Sequence, residues 1–514
     1  MFCKNIYRAL RAIAEKAVNA LKPAAKWLQS VPLAEKLLVC IAVAAAFVAL
    51  MMYPGTPDSD YDTVAKAFEK SLRAYAAVAD DLRITDFAAL AQKSKFSQEL
   101  EFHYKDGEEA LNGAGFRARF SYNQRGKKAG FIATAFQNDT DLLTTRMKVK
   151  NNKVFFGYKE LTGNSYFMID TTSLGVDLQS RNINDYPELS FNIFSLVQQI
   201  QEAITLSRQQ VETLQAAMGS LAQQIQVSQQ GQRPVAVNGT ELSCAIYTVT
   251  FPEGALQEYL HVAETVYLEM NYAETMESIL TEAGFPLDYL NIQVDDSSMQ
   301  ETFSTLRRII GNNGGLQLEV ALQEGYVVSV KSTITDGFYQ YTVDLQLGGG
   351  KKYADNCFLQ VMERMGNGFT VTSSGNHAMA GGTFTDHTVL TTYDRHQPSE
   401  DLSWEISWKP RGLKNNFRLC LQSGNENWAL EGTVRCNRKS LQLAFDSVQA
   451  DGYAFDIRYR LGGYRALWLP VTKKLDYFYT TSLPSDILEN YTQWTNRMKQ
   501  EYYDMFLLLS ELPM

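Results

Sequence analysis

LQLEVALQ (Leu316–Gln323) and YQYTVDLQL (Tyr339–Leu347) decide how the later half of this chain folds. In the first, Leu316, Leu318, Val320 and Leu322 fall on every second position; in the second, Tyr339, Tyr341, Val343, Leu345 and Leu347 do the same. Successive side chains of a strand point to opposite faces, so a period of two gives one apolar face and one polar face. The pattern returns at Leu402, Trp404, Ile406 and Trp408, at Leu441, Leu443 and Phe445, and from Tyr453 through Phe455, Ile457 and Tyr459 to Leu461. Strands of this kind predict a wide antiparallel meander, solvated on one side and covered or curled on the other.

Alternation also governs Phe96–Asp170, in FSQELEFHY, GFRARFSYN, GFIATAF and KVFFGY, with Gly-Lys-Lys, Asn-Asp and Asn-Asn breaks suited to tight hairpins. Between the two meanders the period changes. Residues 188–229 read as a helical insertion in which Val197, Ile200, Ile204, Ser207, Val211, Leu214, Met218, Leu221 and Ile225 keep a three-four spacing. That seam suits a coiled-coil contact with a second chain, a helical hairpin, or a lid over the protein's own sheet. One strand, CAIYTVTF (244–251), leads into amphipathic helices at 253–284 and 296–312; an opening helix covers 61–92 and a closing helix 484–510. The fold class expected is α+β: a large curved antiparallel meander sheet with packing helices, preceded by a single N-terminal transmembrane helix.

That span is Leu37–Tyr53, 17 residues without a charge, just enough to cross a hydrocarbon core at about 1.5 Å per residue. Residues 1–36 hold seven Lys/Arg and two acids, a net of +5, so with −9 for the whole chain the remainder carries −14. Short basic flanks stay in the cytoplasm, which places the N-terminus inside and the bulk outside the cell membrane. A cleaved signal fits poorly, because 36 residues precede the apolar run and no A-x-A-like site follows it. The tail itself is an amphipathic basic helix suited to an anionic leaflet or a plain stop-transfer flank. The organisation expected is a tail (1–36), a span (37–53), a linker (54–60), an external lobe (61–290) and a second lobe (291–514), with the two lobes separate or sharing one continuous sheet.

No reaction can be read from the residues. The acidic balance argues against a nucleic-acid partner. The histidines are His103, His261, His377, His387 and His396, without an H-x-x-x-H or Cys-x-x-Cys companion, so exposed loop or strand positions suit them better than a metal set. Asp58, Asp60, Asp62 and Glu69 imitate a calcium loop, but Thr63 and Lys66 break its pattern and a helix N-terminus explains the acids. Gly348–Lys351 ends a strand and reads as a turn rather than a phosphate loop. Neither catalytic residues nor a cofactor site is nominated. Cys244, Cys357, Cys420 and Cys436 lie in the external part and allow three pairings; a turn near Gly424-Asn425 would set Cys420 against residue 430 rather than Cys436.

The order of parts, together with N-G-x-E-x-x-C-x-x-Y-x-V at Asn238–Val249, the helix Leu256–Tyr267 and the strand pair Leu316–Thr335, resembles anchored envelope proteins of gram-positive bacteria. Their external part is similar to the LolA/LppX-like lipoprotein fold, a curved half-barrel with helices over its concave side. The resemblance implies an apolar ligand, such as an acyl chain, held between sheet and helices; it transfers no ligand residue. From the strands themselves, Tyr339, Tyr341, Trp404, Trp408 and Tyr459 are the candidates to line such a pocket, the alternative being an ordinary filled core. The function expected is a non-enzymatic anchored extracytoplasmic protein binding a lipid or other apolar molecule. A protein partner met through 197–225, for sensing or scaffolding, is the alternative, and a wall- or peptide-directed hydrolase a remote third.

Overall fold

A computed structural model describes residues 59–81, 83, 86, 90, 93–106, 109–180, 188–203, 205–285, 297–349, 354–376, 383–409, 414–423, 426–450, 453–467, 469, 473–476 and 484–503. The tail and span expected over 1–53 lie outside these residues. Among the described residues, no helix is long and apolar enough to cross a membrane.

The chain opens with α1 (Ser59–Asp81), whose first turn carries Asp60 and Asp62 where the exposed amides favour negative charge. A first meander follows: β1 (Lys95–Asp106), β2 (Ala114–Asn123), β3 (Lys128–Gln137), β4 (Thr140–Lys150), β5 (Lys153–Tyr158), the short α2 (Lys159–Thr162) and β6 (Ser165–Asp170). The predicted breaks are its turns. Asn138 and Asp139 both have φ > 0 (47° and 61°), as a two-residue hairpin turn matched to strand twist requires. Helices α3 (Leu174–Gln179), α4 (Ile193–Ala203) and α5 (Arg208–Gln224) come next, then β7 (Gln226–Val237), β8 (Thr240–Pro252), α6 (Glu253–Met270), α7 (Tyr272–Glu282) and α8 (Ser297–Asn312). The long meander runs through β9 (Gly315–Gln323), β10 (Tyr326–Asp336), β11 (Tyr339–Gly349), β12 (Ala354–Glu363), β13 (Gly368–Asn376), β14 (Phe384–Asp394), β15 (Gln397–Trp408), β16 (Lys414–Ser423), β17 (Glu426–Asn437), β18 (Ser440–Ala450) and β19 (Tyr453–Gly463). Short β20 (Lys473–Asp476) and α9 (Ser485–Glu501) close the described chain.

These twenty strands form one sheet. From one edge, β7 to β19 neighbour each other in chain order; β19 then pairs with β1, and β1 to β6 continue to β20 at the other edge. Every pairing is antiparallel except β6 with β20. The joint is β1 against β19, with Leu100 opposite Tyr459 and Phe102 opposite Ile457. The lobe boundary expected at 290/291 falls, in chain order, between β8 and β9, which are themselves paired.

The helical insertion expected over 188–229 is not one seam. Ser207 starts a new helix: its hydroxyl accepts from the Gln210 amide while the Gln210 side chain accepts from the Ser207 amide. This reciprocal capping box satisfies two donors left free at a helix start. The stretch also ends early, because Gln226–Val237 is a strand. β7 escaped the sequence reading because it is a mostly exposed, polar edge strand carrying Pro234 and a bulge at Gln229–Gly231. Both helices pack within the chain, Phe194 of α4 among Tyr122 and Val149, and Leu221 of α5 and the following Ile225 in the core under α1 and α6.

One face of the sheet takes nearly all this cover. Tyr61, Val64 and Phe68 of α1, Leu256 and Leu260 of α6, and Leu306 and Ile310 of α8 bury Val249, Leu318, Val320 and Val330. Ser71 docks α1 on β10: its hydroxyl accepts from the Val327 amide at 2.9 Å, next to a bulge. At its far end α1 reaches β14 and β15. Met498 and Trp494 of α9 lie over Phe102, Tyr104 and Leu142, and the Trp494 indole donates to the Leu142 carbonyl at 2.7 Å. Gly315, at φ +116°, lets β9 approach the end of β8; a Cβ there would stand 2.3 Å from the Phe251 carbonyl oxygen. At the β7 end the sheet rolls over its other face, since the Asn238 amide donates to the Gln346 side chain of β11 at 2.8 Å. That roll encloses Val237, Cys244, Ile246, Ala321 and Val328.

Candidate ligand-binding face

Antiparallel partners share a face, so the register decides which side chains meet. Following it from Leu345 through Leu359, Val371, Leu390 and Leu402, and on through Ile457 and Phe102 to Phe116, keeps the helix-covered face throughout. Tyr339, Tyr341, Trp404, Trp408 and Tyr459 all lie on it. They do not form one pocket. With neighbouring strands about 4.8 Å apart, β11, β15 and β19 are each roughly 19 Å from the next.

Their surroundings also differ. Tyr339 is 54% exposed at a strand end. Tyr341, Trp404 and Tyr459 are partly buried. Trp408 is 1% exposed, meets the edge of the Phe384 ring at 5.8 Å, and donates its indole N–H to Asp81 Oδ2 at 3.4 Å. It seals the end of α1 against the sheet and has the surroundings of a filled core position.

The first meander offers a more continuous apolar feature. Phe120 stands opposite Phe131, Phe131 opposite Met147, Met147 opposite Phe156, and Phe156 opposite Phe167. All five are partly exposed, and the Phe156 and Phe167 rings lie 5.3 Å apart. This ladder runs across five strands, about 19 Å. Beside it lies a row of smaller groups, Ala118 opposite Ala133 and Ala133 opposite Thr145, extended on the other side by Leu100 and Tyr459. Small side chains between bulky ones make a trough. α4 covers the strands on one flank, through Phe194 against Tyr122, Val149 and Val154; α9 covers them on the other, through Trp494 and Met498. Burial pushes the phenols of Tyr122 and Tyr459 above the ordinary tyrosine range, because the ionised form loses hydration there. Tyr122 Oη is buried beside the ladder without a protein hydrogen-bond partner.

The opposite face is a lattice of charge. Glu99 lies between Arg119 and Arg460, each at 3.9 Å, Arg117 meets Asp141 at 2.6 Å, and Lys105 meets Asp456 at 2.6 Å. Farther along, Arg418 meets Glu431 at 2.9 Å and Lys331 meets Asp344 at 3.6 Å. Crossing this face is the segment after β19, held where the Arg465 amide donates to Ser97 Oγ (2.7 Å) and Lys148 donates to the Leu469 carbonyl (3.4 Å). α9, which follows β20 in sequence, lies on the apolar side.

The remaining sequence candidates scatter. His103 lies 3.0 Å from Glu101, His396 occupies a turn at φ 65°, and His377 is outside the described residues. Cys420 faces Ala429, and none of Cys244, Cys357, Cys420 and Cys436 is in a disulfide bond. Burial raises the Cys244 and Cys436 thiols, with Asp86 adding to the second. The trough residues were not nominated from sequence. Their signal was an alanine two positions from a phenylalanine on consecutive strands, Ala118-Phe120 and Phe131-Ala133, aligned by the intervening turn.

No family model matches the chain, and no curated protein matches it. Among solved structures, a chain described as "Asymmetric conductivity of engineered proteins" is similar over 72% of this chain and 98% of its own, at 7% identity and a TM-score of 0.18. A likeness of that size carries no weight for fold or function.

Proposed function

We propose that this protein is a non-enzymatic, membrane-anchored extracytoplasmic protein that shelters an apolar, chain-shaped molecule in the trough of its first meander. The observation that carries the reading is the unbroken ladder Phe120–Phe131–Met147–Phe156–Phe167 beside the small floor Ala118, Ala133 and Thr145. A filled core would bury such rings under a helix, and here helices cover the flanks. An extended hydrocarbon matches a trough about 19 Å long and gains from the apolar area it removes from water. The anchor is the uncharged run 37–53 behind the basic tail.

The test combines organic extraction and mass spectrometry of the purified chain with titration of a fluorescent fatty acid. Wild type is expected to carry or take up the probe. Ala133→Trp, which fills the floor, is expected to reject it while keeping the wild-type circular dichroism spectrum. A wild-type chain that arrives empty and stays empty, or an Ala133→Trp variant that binds as wild type does, overturns the reading.

A further inference from the structure

On the polar face nearly every cation named above has an acid beside it; one cleft breaks that rule. It holds about 370 Å³ and is walled by Lys93, Lys439, Arg460 and Arg465, with Glu99 as the single acid among the described residues that line it. Four positive groups against one negative leave +3, in a chain whose formal charge is −9. Glu99 is already divided between Arg460 and Arg119, each at 3.9 Å. A second cavity of about 320 Å³ shares Glu99 and Arg460 and adds Arg117, Arg119 and Arg458 against Glu101. Solvated faces do not favour such crowding, because like charges a few ångströms apart repel unless an anion lies between them. A third cavity on the same face, about 440 Å³, has the reverse balance, with Glu405, Glu431 and Asp446 against Arg418. The excess of positive charge is thus local, with Lys93, Lys439 and Arg465 exposed at the rim and Arg460 half-buried between them.

The geometry points to a binding site for a phosphate-bearing anion of two or more charges in the cleft between the β18 and β19 ends and the segment after β19. Arg460 offers a planar fork suited to two phosphate oxygens, and Lys439 and Arg465 close the rim from the turn before β18 and from the chain after β19. Gly462 keeps the floor open: a Cβ there would reach only the Lys439 carbonyl oxygen at 3.6 Å and Ser440 Cβ at 3.7 Å. The site lies on the other side of the sheet from the trough, so it stands whether or not the trough holds a ligand.

The experiment is isothermal titration of the purified full-length chain, in neutral detergent at low salt, with inorganic pyrophosphate, and in parallel with micelles doped with cardiolipin, whose headgroup carries two phosphates. Saturable binding is expected, weakened about tenfold by Lys439→Gln and by Arg465→Gln, and by about a hundredfold in the double variant, since hydrogen bonds to charged groups contribute on that scale. Gly462→Leu should block the cleft, and Arg418→Gln, in the acidic cavity, should change nothing. Pyrophosphate binding with this pattern supports the site and assigns it to a soluble phosphate. Binding of the doped micelles alone, with the same dependence on Lys439 and Arg465, supports it and assigns it to a lipid headgroup. Absence of binding to both, or binding indifferent to Lys439, Arg465 and Gly462, overturns the inference.

Discussion

Replacing Trp408 by alanine separates a packing role from a ligand-lining one. The side chain is 1% exposed, sits edge-on to Phe384 at 5.8 Å, packs by Ala77, and gives its N–H to Asp81. Truncating a buried Trp removes its apolar burial and leaves a void, together about 3–5 kcal/mol. Trp408→Phe keeps a ring against Phe384 and loses the indole hydrogen bond with part of the area, so a loss of about 1–2 kcal/mol is expected. Because the site joins the end of α1 to β14 and β15, the loss should appear as earlier release of α1. Urea titration followed by hydrogen exchange of residues 59–81 measures both effects. The expected order of midpoints is wild type, Trp408→Phe, Trp408→Ala, with fatty-acid uptake unchanged in the folded variants. Unchanged midpoints in both variants, accompanied by lost uptake, would refute the reasoning and place Trp408 in an open pocket.

Ser71→Ala strands the Val327 amide in the core, and a lost midpoint equivalent to about 1–3 kcal/mol is expected in the same titration. Thiol alkylation of the native chain at pH 8 should label Cys357 and Cys420 well before Cys244 and Cys436, which are buried with raised pKa values; mass mapping of equal labelling at all four would contradict this. The same shifts fix an alkaline limit. Cys244, Cys436, Tyr122, Tyr259 and Tyr459 ionise less readily folded than unfolded, so their stabilisation is complete below the unfolded values and fades as pH rises through the folded ones. Stability should therefore fall from about pH 8.5, where thiols begin to ionise in the unfolded chain, and more steeply from about pH 10, by at most about 1.4 kcal/mol per group per pH unit. A thermal midpoint that stays flat from pH 8 to 11 would contradict it.

By itself the sequence determined the strands with clear alternation and their sidedness. Period-two alternation in 316–347, 402–408 and 441–461 needs no tertiary partner to be seen, and the Asn138-Asp139 turn sets hairpin register because few residues tolerate φ > 0. The shared face of Tyr339, Tyr341, Trp404, Trp408 and Tyr459 follows from the same alternation. Burial along that face does not: Tyr339 and Trp408 carry the same pattern, and only the path of α1 makes one exposed and the other sealed. The polar edge strand β7 had no apolar signal to find, and the break at Ser207 was hidden because a cap can sit within an uninterrupted three-four spacing. Pairing between distant strands is decided by tertiary structure alone. The contact of β1 with β19, more than 340 residues apart, joins two meanders into one sheet, and no local propensity encodes it. That joint sets Tyr459 in line with Leu100, Ala118 and Ala133 on one face, and Arg460 against Glu99 and Arg119 on the other. The basic cleft is a product of that pairing, since it draws its residues from both ends of the chain, whereas the trough is built within the first meander and gains only Tyr459 from it.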